Sequence, residues 1–250
     1  MRSLFIMLLI FAGIIFTDYT VIKNPVHTQK KDENLTLKLV KKEENKTAVK
    51  KVVKHKKRVS VSKKKQKFFA LVVPAIQKVH QEQEEQFEQI TKDLEAGKNS
   101  EKILHLKKLC RVKTDTQLLL ALKPHPQSIV IAQAAIESAW GTSRFFREAN
   151  NIFGMWSKDP NEPRIAAGIK REGKRTIWLR KFSNLDESIR QYYQTIGRVK
   201  DYKAFRELRF KTNDVNQLVK KLDKYSELGD KYTQILSSVI RHNNLTKFDK

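Results

Sequence analysis

Ala132-Gln133-Ala134-Ala135-Ile136-Glu137-Ser138-Ala139-Trp140-Gly141 sets one carboxylate, Glu137, into an otherwise apolar run that extends from Ile129 to Trp140. A helix with so few polar positions is expected to lie inside the fold rather than on it. Most glutamates on helices are solvated surface groups, and the scarcity of polar residues between Ile129 and Ile136 argues against that reading here. An enclosed carboxyl is disfavoured in its charged form, so its pKa rises towards the range in which it can hand over a proton at neutral pH. Acids of that kind break glycosidic bonds.

Outward from this run, helical signals dominate. Val72, Val73, Ile76, Val79, Phe87, Ile90 and Leu94 recur at three- and four-residue steps and stop at Gly97, which predicts an amphipathic helix from Phe69 with Pro74 near its first turn. Asp115 offers a cap for Leu118 to Leu122, and Pro124 and Pro126 break the chain ahead of the Glu137 helix. Thr142-Ser143 restarts a helix that Asn150-Asn151 closes, and Ile152 to Trp156 reads as extended. Between Ser157 and Lys181, four Pro and Gly residues and the segment Thr176-Ile177-Trp178-Leu179 predict a β-hairpin turning at Glu172-Gly173-Lys174. Helices resume behind Ser183 or Asn184, with Tyr192 and Tyr193 on a face that ends at Gly197, and again around 215 to 225 and 232 to 240 behind Asp214 and Asp230. The expected fold class is α+β, mainly α: a helical body with one small β-hairpin lobe.

Lysine and arginine exceed the acids by 51 to 27, a net charge of +24, which suits an anionic partner such as nucleic acid, anionic lipid or an acidic wall polymer. Residues 23 to 66 hold 16 basic and 4 acidic residues with no sustained period, and read as a basic flexible linker. No aromatic residue is interleaved there for base stacking, so no specific nucleic-acid partner is expected; the linker is suited to an anionic membrane surface. Arg2 followed by the apolar run Leu4 to Phe16 predicts an export signal over residues 1 to 22, either cleaved or kept as a membrane anchor, and hence a place in the cell envelope. The lysines that follow bias against export of that segment. Cys110 is the single cysteine and His105, His125 and His242 lack a ligand spacing, so neither a disulfide, a metal nor a cofactor is expected. Ser138 and Ser143 lack evident His and Asp partners for nucleophilic catalysis.

Three ordered stretches carry a resemblance to a known family: residues 132 to 145, quoted above and continuing Thr142-Ser143-Arg144-Phe145; Asn150-Asn151-Ile152-Phe153-Gly154-Met155-Trp156; and Lys224-Tyr225-Ser226-Glu227-Leu228-Gly229. With Lys67-Phe68-Phe69 and Pro74-Ala75-Ile76 upstream, the chain resembles the Bax-like branch of the bacterial glucosaminidase family over residues 67 to 250, with a core at about 115 to 245. That resemblance implies a lysozyme-like fold and cleavage after N-acetylglucosamine in the glycan strands of peptidoglycan. It implies that Glu137 is the general acid, that Glu172 in the lobe is the second carboxylate, with Glu162 and Asp159 as rivals, and that Tyr225 is the active-site tyrosine, with Tyr232 as the weaker choice. A second carboxyl lies about 6.5–9.5 Å away in inverting glycosidases and about 5–5.5 Å away in retaining ones. Where none reaches the bond, the substrate's own N-acetyl group can assist. Trp140, Asn151, Phe153, Gly154 and Trp156 would line the groove, since sugar faces stack on aromatic rings and amides bind hydroxyls. Lytic transglycosylase chemistry and a non-catalytic envelope protein that binds peptidoglycan stay open as alternatives.

Overall fold

The computed structural model describes residues 61–168 and 176–249. The leader, the basic stretch as far as residue 60, and Glu172 with the tip of its lobe lie outside the described residues.

The first helix, α1 (Val61–Glu95), starts six residues ahead of the point where the linker was expected to end. Phe68, Val72, Ile76 and Val79 form its buried stripe and pack with the core. Pro74 lies deep inside the helix, not in its first turn. Its ring removes a hydrogen bond to the carbonyl of Ala70, a loss tolerated because Ala70, Leu71 and Pro74 face solvent. After Ser100, whose hydroxyl accepts from the Ile103 amide, α2 (Glu101–Cys110) ends on Arg111 in the left-handed conformation. Thr114 and Gln117 form a capping box for α3 (Asp115–Leu122), so the cap is Thr114 rather than Asp115. Together with Ile90 of α1, these two helices close a separate small core around Ile103, Cys110 and Leu118.

At the centre lies α4 (Gln127–Glu137), in which every residue from Ser128 to Ala135 is buried. A mostly apolar helix is stable where neighbours cover it, and α1, α9 and the C-terminal turn pack against this one. Helix α4 stops at Glu137 and does not run on to Trp140. Ala139, Trp140 and Gly141 all take positive φ (51°, 58° and 73°), which turns the chain over. Ser138 holds this turn, its hydroxyl donating to the Ala134 carbonyl at 2.6 Å and accepting from the Gly141 amide at 2.9 Å.

Ser143 caps α5 (Arg144–Ala149), which ends on left-handed Asn150. The lobe is an antiparallel pair, β1 (Arg164–Ala166) and β2 (Trp178–Arg180), with Ile165 opposite Leu179. Asn184 caps α6 (Leu185–Arg198), which crosses α3 so closely that a Cβ on Gly197 would sit 2.8 Å from the Ala121 carbonyl oxygen. That glycine, one residue before the helix ends, marks the crossing. Then come α7 (Lys203–Lys211), α8 (Val215–Val219) running into a 3-10 stretch Lys220–Tyr225, and α9 (Asp230–His242), which starts behind Gly229. The expected class holds: a mainly helical body with one two-stranded lobe. Among the described residues no helix is long and apolar enough to cross a membrane.

Candidate active site

Glu137 is the last residue of α4 and is half-buried, so its carboxyl sits at the edge of the core. Tyr232, fully buried on α9, donates its hydroxyl hydrogen to Glu137 Oε1 at 3.2 Å. Enclosure by the packed helices pushes the Glu137 pKa up to about 8, and the hydrogen bond from Tyr232 opposes part of that rise. Trp140 does not follow Glu137 on the same helix. Because the chain turns over after Ser138, its ring leaves the face of α4 and packs edge-on against Phe68 and Phe69 of α1, at 5.4 and 5.7 Å, with the Lys65 ammonium 4.6 Å above it.

Behind Tyr232 runs a buried chain of polar side chains. Gln133 Nε2 donates to the Tyr232 hydroxyl at 3.0 Å, and the Tyr192 hydroxyl donates to Gln133 Oε1 at 2.5 Å. His125 Nε2 lies 2.8 Å from the Tyr192 hydroxyl, and Arg209 Nη1 lies 3.3 Å from His125 Nδ1. One direction of donation satisfies all five contacts. A guanidinium can only donate, so His125 Nδ1 must accept, which leaves Nε2–H as the donor to Tyr192. Burial and the Arg209 charge hold the His125 pKa well below its ordinary value, which matches a neutral imidazole. Tyr192, having accepted, donates to Gln133, and Gln133 donates to Tyr232. The Tyr232 oxygen is thus occupied, and its hydrogen has Glu137 as its acceptor. Arg209 is itself buried with its pKa pushed down to about 9, donates to the Leu120 and Ala121 carbonyls at 2.8 and 3.0 Å, and leaves only Nε without a partner.

Beside this chain opens a cavity of about 470 Å³ between the body and the lobe. Phe153, Met155, Trp156, Tyr192, Tyr202 and Tyr225 form its aromatic and apolar lining. Phe153 is buried and stacks on Tyr192 at 4.2 Å; Trp156 is half-exposed and bridges to Leu179 of β2. Asn151 is structural in its contacts: Nδ2 donates to the Met155 and Arg180 carbonyls, both at 2.9 Å, and Oδ1 accepts the Met155 amide at 2.8 Å. It fixes the loop in which Gly154 takes φ 64°, and both its N–H donors are spent. Trp140 is not part of this lining.

The resemblance points to Tyr225 ahead of Tyr232, yet the hydroxyl that reaches Glu137 belongs to Tyr232. Tyr225 lines the cavity and stacks on the Tyr232 ring at 5.3 Å, one ring removed from the acid. No role in the site is expected from sequence for Gln133, Tyr192, His125 or Arg209. The signal for Gln133 is its position as a lone amide in an apolar run, which must find partners once buried. Of the three lobe carboxylates, Glu162 and Asp159 line the cavity, Glu162 already accepting Arg180 Nε at 2.8 Å. Glu172 lies outside the described residues. Among those residues no group of three or more His, Cys, Asp or Glu side chains is arranged to hold a metal ion.

An acid that stays protonated at neutral pH, with one oxygen occupied by a fixed donor, can protonate a leaving oxygen. Glu137 does not itself line the cavity; Tyr225, which does, stacks on the Tyr232 ring that holds the acid. Residues 115–245 match the family model described as mannosyl-glycoprotein endo-beta-N-acetylglucosaminidase. The protein Bax of Escherichia coli K12 is 30% identical over 127 residues, 47% of this chain and 43% of Bax, so the match spans less than half of that relative. Two solved structures are similar at lower identity. The catalytic domain of the autolysin Auto from Listeria monocytogenes has a TM-score of 0.42 at 20% identity, covering 65% of this chain and 97% of that one. A C-terminally truncated glycoside hydrolase domain of FlgJ from Salmonella typhimurium has a TM-score of 0.39 at 22% identity, covering 55% and 91%. With more than half of its length matched by the family model, from the first residue of α3 to the C-terminal turn, the chain belongs to the glucosaminidase family.

Proposed function

We propose that this protein is an endo-β-N-acetylglucosaminidase that cuts the glycan strands of peptidoglycan, with Glu137 as the general acid. The observation that carries the reading is the enclosed carboxyl, with a pKa of about 8, in a chain of the glucosaminidase family. With Tyr232 donating to Oε1, the acidic proton resides on Oε2 and is delivered to the glycosidic oxygen as the bond to the anomeric carbon breaks. The developing positive charge on the sugar is met either by a lobe carboxylate, Glu172 first, or by the substrate's own acetamido oxygen, and water completes the hydrolysis. Half-exposed Trp156 supports the apolar face of the sugar, buried Phe153 steadies the Tyr192 ring in the cavity wall, and Tyr225 orders the ring layer behind the acid. The charge of +24 suits work against an anionic wall, and the stretch up to residue 60 would hold the domain there or at the membrane surface behind the leader.

The test is digestion of purified sacculi with wild type beside Glu137→Gln, with released muropeptides identified by mass spectrometry. Reducing N-acetylglucosamine ends from the wild type, reduced by at least ~10³-fold in the variant, are the expected result. Anhydro ends would move the chemistry to a lytic transglycosylase. No release by folded wild type would leave a peptidoglycan-binding envelope protein.

A further inference from the structure

Three arginines line the same cavity: Arg111, Arg180 and Arg198. Arg180 is committed, its Nε to Glu162 and its Nη1 to Gln191 at 2.9 Å. The side chains of Arg198 and Arg111 make no ion pair or hydrogen bond among the described residues. Arg198 ends α6 in a half-buried position, and burial together with the charges of Arg111 and Arg180 holds its pKa below the ordinary arginine value. Gathering like charges around a half-desolvated guanidinium costs stability, and no ion pair of Arg198 among the described residues offsets it, although Asp159 and Glu162 line the same cavity. Arg111 adds a second anomaly. It occupies the left-handed position that closes α2 (φ 57°), where glycine is the unstrained choice. It also lies ahead of residues 115–245, so the extension before the family-matched region contributes this charge to the groove.

A neutral sugar chain offers guanidinium groups only uncharged hydroxyl and acetamido oxygens; a carboxylate matches the planar fork of arginine with two parallel, charge-assisted hydrogen bonds and offsets its charge. We propose that Arg198 and Arg111 form an anion subsite that takes a carboxylate branching from the glycan while the sugars lie on the aromatic floor. The inference rests on the glycan reading of the groove. The carboxylate has two sources, the lactyl group on the muramic sugar and the peptide attached to it, and they share one recognition chemistry.

The test measures binding of glycan fragments to the full chain in a Glu137→Gln background, at ~0.15 M salt so that remote charges are screened. Ligands are peptide-bearing fragments, fragments stripped of peptide to the free lactyl carboxylate, and neutral N-acetylglucosamine oligomers. Expected is a loss of about tenfold or more for an acidic ligand in Arg111→Ala/Arg198→Ala, with neutral oligomers unaffected. Loss confined to peptide-bearing or to stripped fragments assigns the source. Arg198→Gln and Arg111→Ala singly, each checked by thermal melting, guard against a folding artefact in the double variant. Equal losses on neutral and acidic ligands, or none on either acidic ligand, overturn the subsite. Arginine-dependent binding without cleavage by the wild type would sink the hydrolase and keep the subsite; cleavage with arginine-independent binding would do the reverse.

Discussion

Around Glu137 the polar side chains sit inside the helical body and donate in one direction, from Arg209 through His125, Tyr192, Gln133 and Tyr232, whereas the charges lining the cavity are half-buried or exposed, and two of its guanidinium groups, Arg111 at the end of α2 and Arg198 at the end of α6, have no ion pair or hydrogen bond among the described residues. A buried chain works by fixing protons: each member has one donor and one acceptor to place, and low dielectric makes misplacement costly. A half-exposed cluster works by staying available, since water screens its repulsion until a ligand displaces it. On the proposed reading, the buried chain tunes the acid and the charged lining of the cavity recognises what is brought to it. Each prediction below would erase that contrast if it failed.

The largest effect is expected at the far end of the chain. Arg209→Ala empties a fully buried site, frees the Leu120 and Ala121 carbonyls at the end of α3, and removes the donor that sets the tautomer of His125. A loss of about 3–5 kcal/mol in urea unfolding is expected. A loss under about 1 kcal/mol would mean that the arginine does not anchor the chain.

Next comes Tyr232→Phe, which deletes the donor to Glu137 and leaves Gln133 Nε2 without its acceptor. Stability should fall by about 1–3 kcal/mol. The hydrogen bond lowers the Glu137 pKa, so its removal raises that pKa further, and the alkaline limb of kcat/KM, expected near pH 8 for a general acid, should move upward. A limb that stays in place would detach the tyrosine from the acid.

The same carboxyl makes stability depend on pH in an unusual direction. Folded, it titrates at about 8; unfolded, at the ordinary 4.5. Between those values the folded state keeps a proton that the unfolded state has released, so the contribution of Glu137 to stability falls as pH rises through this window. Glu137→Gln removes the titration. The variant should gain roughly 2–4 kcal/mol over wild type at pH 9 and much less at pH 4, read by denaturant unfolding at both. A difference that does not change with pH would contradict an enclosed acid.

Much of this arrangement is readable from local sequence, and the rest is not, for physical reasons. Ser143, Asn150, Asn184 and Asp214 mark helix ends because a cap depends on neighbours two or three residues away. The burial of α4 follows from its composition. The stop at Glu137 does not, because Ala139 and Trp140 have no preference for positive φ and are held there by the Ser138 turn and by packing on α1. Helix α7 is hidden because its buried face is Phe205 and Arg209, and an arginine reads as solvent-facing until long-range partners are known. For the same reason Tyr232 looks like packing from sequence: what distinguishes it from Tyr225 is a hydroxyl aimed across 95 residues at the acid.

The smallest effect is expected in the lobe. Arg180 and Glu162 join at 2.8 Å with side chains 28% and 21% exposed, and Arg180 also reaches Gln191 on α6. Such a pair is partly screened and holds two flexible side chains in one geometry, so Glu162→Gln should cost no more than about 1 kcal/mol and less in high salt. Its value lies in what it releases. With Glu162 neutralised, Arg180 loses its charge partner and joins Arg198 and Arg111 as an uncompensated cation lining the cavity. Acidic glycan fragments should then bind Glu162→Gln more tightly than wild type by a few-fold while neutral oligomers bind the same. A weaker affinity for the acidic fragments would mean that Glu162 itself holds the substrate, and the division between a tuned body and a recognising lobe would have to be redrawn through this carboxylate.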